Sequence, residues 1–456
     1  MPPLAVPPSR ADLRRAVALA AAAALGIAIV SVTFWPGWLS PDSVYQLEQA
    51  RGVFPVTDMH PPVMAAVWRL LDRIVPGPTG MLLVQNGLFW GGLALAAWVW
   101  IDSWVAPVLV LVIGLSPPSL SHLGTIVKDV QMGAGFLAAF GLLSLASTRG
   151  DRWPLAASLV PLLYGCTMRH NGFVTAAPLL CWWAWLWWAP AQPRWSRAAP
   201  LAAGLLVGVA AFAQLADRAL TGGKTAHNEQ TSFVHDLVAF SIAADRDLLP
   251  AALRDGPQDV PLARMKELYL PECDVPLYYP PTPGPHFDVF ATTPAQLHAI
   301  EATWLRLVLE RPGVYLRHRW ELFRHLVGLG VPVVCYPYVP DDAMRSPRAA
   351  ALGVPFTPGP WTRAVTSAFW ALRNGPFFRP WYYLVALLAV LGLAWRQRRL
   401  HAAGLALGAS ALLNLAPYFV FAPDCGFRYS WWTAIAALLL PAVIWGRWRA
   451  LPKVSG

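Results

Sequence analysis

Apolar residues in this chain gather in long uninterrupted stretches, a pattern that predicts helices surrounded by apolar material on every side. Ten stretches, near 14–35, 80–101, 104–122, 131–148, 153–168, 172–189, 199–220, 377–395, 401–421 and 430–446, approach membrane-spanning length. That length is about 20 residues for a helix crossing a hydrocarbon core of roughly 30 Å. The pattern changes between 221 and 376, where Asp, Glu, His and Pro become common and PLYYPPTPGPHF at 276–287 reads as irregular. Within that segment the spacing of Trp304, Leu305, Val308 and Leu309 predicts helices lying along a membrane surface, and the apolar run 326–339 is too short to span. The expected organisation is an N-terminal transmembrane module (1–220) with a first outer loop (36–79), an outer-face lid (221–376) and C-terminal transmembrane helices (377–456).

Composition sharpens this into an all-α polytopic membrane protein: 56% of the 456 residues are hydrophobic, 13% are charged, and 24 are tryptophan. Arg10, Arg14 and Arg15 ahead of an apolar run resemble a secretory signal. The run continues through Ile27, Val30 and Phe34 to Trp35 without a small-residue cleavage site, so it reads as a retained span. Short cytoplasmic loops collect Lys and Arg. With ten spans, Arg10, Arg14 and Arg15, then Arg149 and Arg152, Arg194 and Arg197, Arg396, Arg398 and Arg399, and finally Arg447, Arg449 and Lys453 all fall on one side, placing both termini in the cytoplasm. These anchors account for most of the net charge of +10. No basic stripe interleaved with aromatics points to nucleic acid. WWAWLWW at 182–188 reads as an interfacial aromatic belt. Cys166 and Cys181 fall in spans as small core residues, whereas Cys273, Cys335 and Cys425 fall outside; a Cys273–Cys335 bridge would tether the lid, with the pairing left open.

The remaining ionisable residues lie at the outer ends of spans: Asp42 in SPDSVYQ, Asp58 and His60 in TDMHPP, Lys128 and Asp129 in IVKDVQ, Arg169 and His170 with Asn171 in MRHNG, and Asp424, Arg428 and Tyr429 in APDCGFRYS. Five loops thus carry acids and bases to one membrane face, and charge at membrane depth is a functional-site hypothesis. A carboxylate can take a proton from an acceptor hydroxyl, while Lys and Arg can hold a phosphate. Each residue also has a plainer reading: Asp42 and Asp58 as helix caps, His60 as a turn residue, Lys128 with Asp129 as a neutralising pair, and the arginines as interface anchors.

DSVYQ resembles the D-E-x-x-Y motif of GT-C type glycosyltransferases that use lipid-linked sugars, matching at Asp42 and Tyr45, with Ser43 in place of the second acid. DMHPPVMA resembles the D-x-H-P-P-L-G-K motif of the protein O-mannosyltransferase and lipid A aminoarabinose transferase superfamily, matching at Asp58, His60, Pro61 and Pro62, with Ala65 in place of the lysine. The resemblance covers roughly the first 175 residues. It implies inverting transfer of a sugar from a polyprenyl-phosphate donor to a glycan, lipid or protein acceptor at the outer face of the plasma membrane. By match to the motif, Asp42 is the expected base and Asp58 its runner-up, with His60 beside them. Lys128, Arg169 and Arg428 are expected to hold the donor phosphate, supported by Tyr45, Asp129, His170, Asn171 and Tyr429. Asp42, Asp58, His60 and Asp129 could ligate magnesium or manganese, yet the cations can neutralise a phosphate unaided, and no metal requirement is expected. A transporter or flippase would place its charges near the bilayer midplane; a polysaccharide polymerase would share the long outer loop.

Overall fold

The computed structural model describes residues 9–149, 152–188, 195–254, 259–288, 293–335, 337, 341–354 and 356–446. Arg194, Arg447, Arg449 and Lys453 of the predicted anchors, and Val339 of the apolar run, lie outside these described residues. Among the described residues the fold is all-α apart from one pair of two-residue strands.

Its centre is the parallel pair Thr79–Trp100 and Lys128–Arg149, in which Gln85 meets Gln131 near one end and Trp100 meets Ser144 near the other. Glycine brings these helices together: a Cβ on Gly92 would lie 2.5 Å from the backbone nitrogen of Ala138, and one on Gly141 would lie 2.7 Å from the Gly92 carbonyl oxygen. Small residues at a crossing are how apolar helices gain close packing where lipid already satisfies their hydrophobicity. Arg10–Phe34 packs on one side of this pair, and Arg152–Thr167, Gly172–Trp188, Ala402–Leu415 and Trp431–Trp445 complete the bundle around a continuous apolar core.

Six helices among the described residues are long and apolar enough to cross a membrane: Arg10–Phe34, Thr79–Trp100, Lys128–Thr148, Ser196–Thr221, Ala402–Phe421 and Phe427–Trp445. The number becomes seven if the bent pair Val105–Gly114 and Pro117–Leu123 is one span. The expected ten is therefore too many. Pro117 and Pro118 bend the 104–122 run by 62°. Arg152–Thr167 and Gly172–Trp188 have 16 and 17 residues because the Arg169–Asn171 turn divides them, and Pro380–Arg396 has 17. At 1.5 Å per residue these cover only about 24–26 Å.

WWAWLWW divides its aromatics. Trp182 and Trp183 are buried, the latter donating to the Leu155 carbonyl, while Trp187 lies under Arg152.

The segment after 221 has its own core, in which Val234, Leu237 and Phe240 of Glu229–Ala243 meet Ile300 and Leu307 of Pro294–Glu310. Trp304 and Val308 turn toward this core while Leu305 and Leu309 stay exposed, so the four do not share the single face that the spacing predicts. The disulfide joins Cys335 to Cys425, and Cys273 is free and buried. The expected Cys273–Cys335 pairing is replaced because Cys425 lies in the turn that the outer segment grips: Asp274 donates its amide to the Pro423 carbonyl, and Cys273 bridges Asp424.

Candidate functional site

Strands Trp38–Leu39 and Thr125–Ile126 pair in parallel. Each runs within a few residues into a helix, Pro41–Arg51 and Lys128–Arg149, and this shared exit sets Asp42 beside Lys128. Gln85, buried on the central helix, fixes the second strand by donating to the carbonyls of Leu123 and Thr125 at 2.9 and 3.1 Å. Ser40 caps the first helix, its hydroxyl accepting from the Ser43 amide, and Ser43 donates in turn to the Ile126 carbonyl. Capping is therefore not Asp42's task. The residue that stands where the motif has its second acid is a buried tie between the two strand exits.

Asp42 faces two cations. Lys128 Nζ is 3.6 Å from its carboxylate, and Arg428 donates to Oδ2 at 3.2 Å. Burial raises the pKa of this carboxyl, but the charges of Lys128 and Arg428 outweigh it and hold the group well below the usual carboxylate range. Lys128 also reaches His60 Nδ1 at 3.2 Å. Burial, then the neighbouring Lys128 charge, brings the His60 pKa down to about 3, so Nδ1 is free to accept the ammonium proton. Lys128 occupies the first turn of its helix, where the dipole disfavours a cation; an anion is needed there, and Asp42 supplies it.

The other predicted residues join through a second layer. Arg169 donates to the buried Asp129 at 2.8 Å and lies over the rings of Tyr418 and Tyr429. Arg428 donates to Asp424 at 3.1 Å and to the Tyr429 hydroxyl at 2.8 Å, and Tyr429 donates to Asp424 at 2.7 Å. Tyr45 packs edge-on against His60, stacks on Phe54 and lies beneath Arg348, which is paired with Glu48. Asn171 donates to the Asn414 carbonyl at 3.4 Å, and His170 sits at the rim. Asp58 stands apart. It accepts from the Ala226 amide, tying the HPP loop to the start of the outer segment.

A cavity of about 270 Å³ opens beside this cluster, small for a ligand site. Met59, Pro61, Phe173 and Val209 give it apolar walls, and Lys128 and Arg169 line it too, so Lys128 touches both the cavity and Asp42. Five loops thus do converge, as their positions at the ends of apolar runs predict. Sequence reasoning missed Arg348, Glu48 and Asp217; for Asp217 the signal is the one acid of the 199–220 run, where Gln214 and Arg218 are the other polar residues, and it lines the cavity.

Among the described residues no group of three or more His, Cys, Asp or Glu is arranged to hold a metal ion. Asp42, Asp129 and Asp58 are engaged by Lys128 with Arg428, by Arg169 and by a backbone amide, respectively. Compared with protein-family models, curated proteins and solved structures, the chain matches none.

Proposed function

We propose that the protein is an integral membrane glycosyltransferase that moves a sugar from a polyprenyl-phosphate donor to a glycan, lipid or protein acceptor at the outer face of the plasma membrane, with both termini cytoplasmic. One observation carries this reading: an ionised carboxylate, Asp42, shares Lys128 with an apolar-walled cavity that also holds Arg169. Apolar walls with cations at their head suit an anionic lipid carrier.

In this reading the donor phosphate enters against Lys128, Arg169 and Arg428 and competes with Asp42 for the cations. Losing them raises the basicity of Asp42, because the charges that hold its proton affinity down are then answered by phosphate. Asp42 takes the acceptor hydroxyl proton as the acceptor oxygen bonds to the anomeric carbon. The carbon–oxygen bond to phosphate breaks with its electron pair staying on the phosphate oxygen, and the configuration inverts. Stabilisation of that leaving oxygen by Lys128, Arg169 and Arg428 supplies the electrostatic part of the catalysis.

The test gives purified protein in nanodiscs a panel of polyprenyl-phosphate sugars with candidate acceptors, following release of polyprenyl phosphate. Turnover with at least one donor that Asp42→Asn abolishes is the expected result. No turnover with any donor, together with movement of the lipid across vesicles, would replace the enzyme with a transporter.

A further inference from the structure

The helix Trp195–Thr221 is the least enclosed of the six long apolar helices, and only 17% of its most apolar window is buried. A polar side chain within such a helix is costly unless it serves a site. Val209, Ala213 and Asp217 recur every four residues, with Ala210 and Gln214 beside them, so all five lie on one face. That face lines the cavity. Among the described residues neither Gln214 nor Asp217 has a hydrogen-bond or ion-pair partner, so their polar groups are offered to whatever fills the space.

The polar lining is divided by charge. Lys128 and Arg169 line the cavity from the Lys128–Arg149 helix and the Arg169–Asn171 turn, a first wall, and Gln214 and Asp217 line it from the Trp195–Thr221 helix, a second. An anion suits the first wall and is repelled by Asp217 on the second. A carboxylate instead accepts from hydroxyl groups, and an amide side chain both donates and accepts. A sugar-free phosphate would leave the second wall's polar groups unanswered, whereas a phosphate carrying a polyhydroxyl group answers both.

We infer that Asp217 and Gln214 form the subsite that reads the donor's sugar, Asp217 accepting from its hydroxyls while the phosphate lies toward Lys128 and Arg169. This rests on the glycosyltransferase reading and makes the Trp195–Thr221 helix a specificity element of it.

The experiment compares binding of polyprenyl monophosphate with and without an attached hexose to the protein in nanodiscs. The unaltered protein is expected to bind the glycosylated lipid about tenfold or more tightly than the bare one, and Asp217→Asn and Gln214→Ala are each expected to shrink that ratio. Both variants should retain affinity for the bare lipid, which also reports that they are folded. Equal binding of the two lipids by the unaltered protein would overturn the subsite while leaving the carrier site standing. Binding of neither lipid would overturn both readings. A ratio unchanged in both variants, or equal loss of both lipids in Asp217→Asn, would remove Asp217 and Gln214 from sugar recognition.

Discussion

Asp42, Lys128 and His60 form the innermost group, and their protonation follows from burial and charge together. Asp42→Asn keeps the shape and removes the negative charge; transfer is expected to fall by about 10²–10⁴ with little loss of folded protein, and a variant with full turnover would remove Asp42 as base. His60 gives a prediction with a definite sign. Its folded pKa of about 3 lies below the ordinary 6.5, so the unfolded chain takes up the proton first. Stability is therefore lost as pH falls from 6.5 toward 3. Melting temperatures of His60→Gln, which cannot titrate, should decline less over that window; equal slopes would show that His60 is not held neutral. The ionisable members of the group were legible in the sequence because charge beside an apolar run stands out. Asp217 and the Glu48–Arg348 pair were not: one acid is averaged away in a hydropathy window, and Arg348 meets Glu48 across 300 positions that no local pattern connects.

Helices and turns set the distances within that group. The turn at Ala422–Cys425 accepts from Arg319 at Ala422, pairs with Cys273 and Asp274, and is bonded to Cys335. Burial, and then the nearby Asp424, pushes the Asp274 pKa up to about 8 from 3.8. The folded protein holds this proton where the unfolded chain has released it, so stability falls as pH rises between those values. Asp274→Asn should flatten that slope in thermal unfolding between pH 5 and 9, and an unaltered slope would assign it to other groups. Cys335→Ser with Cys425→Ser is expected to cost about 2–4 kcal/mol and to lower transfer through misplacement of Arg428, measured with unfolding and turnover on the same sample. Apolar runs announced most helices, and the division at Arg169–Asn171 with them, but the 62° bend at Pro117 and Pro118 depends on tertiary context. The disulfide pairing had no signal in spacing at all.

For the whole molecule, composition alone established a helical membrane protein, while the number of crossings depended on helix lengths that only the fold displays. Long helices and shorter ones meet in one core, so the crossings cannot be counted from hydropathy alone. The orientation proposed above can be checked with single reporter cysteines: one at Ser9 is expected to be shielded from an impermeant thiol reagent in intact cells, and one at Tyr279, which is 64% exposed, is expected to react. The reverse pattern would invert the topology and put the cleft on the cytoplasmic side.

Arg428 reaches Asp42 across 386 positions of sequence. Chains emerge from the ribosome N-terminus first, so the nascent protein carries its carboxylate and lysine through almost the whole of synthesis before the arginine that completes them exists. A ribosome-stalled chain ending before Arg428 should therefore insert yet show no transfer, and supplying the missing C-terminal piece as a separate polypeptide should restore activity if the two halves meet in the same bilayer.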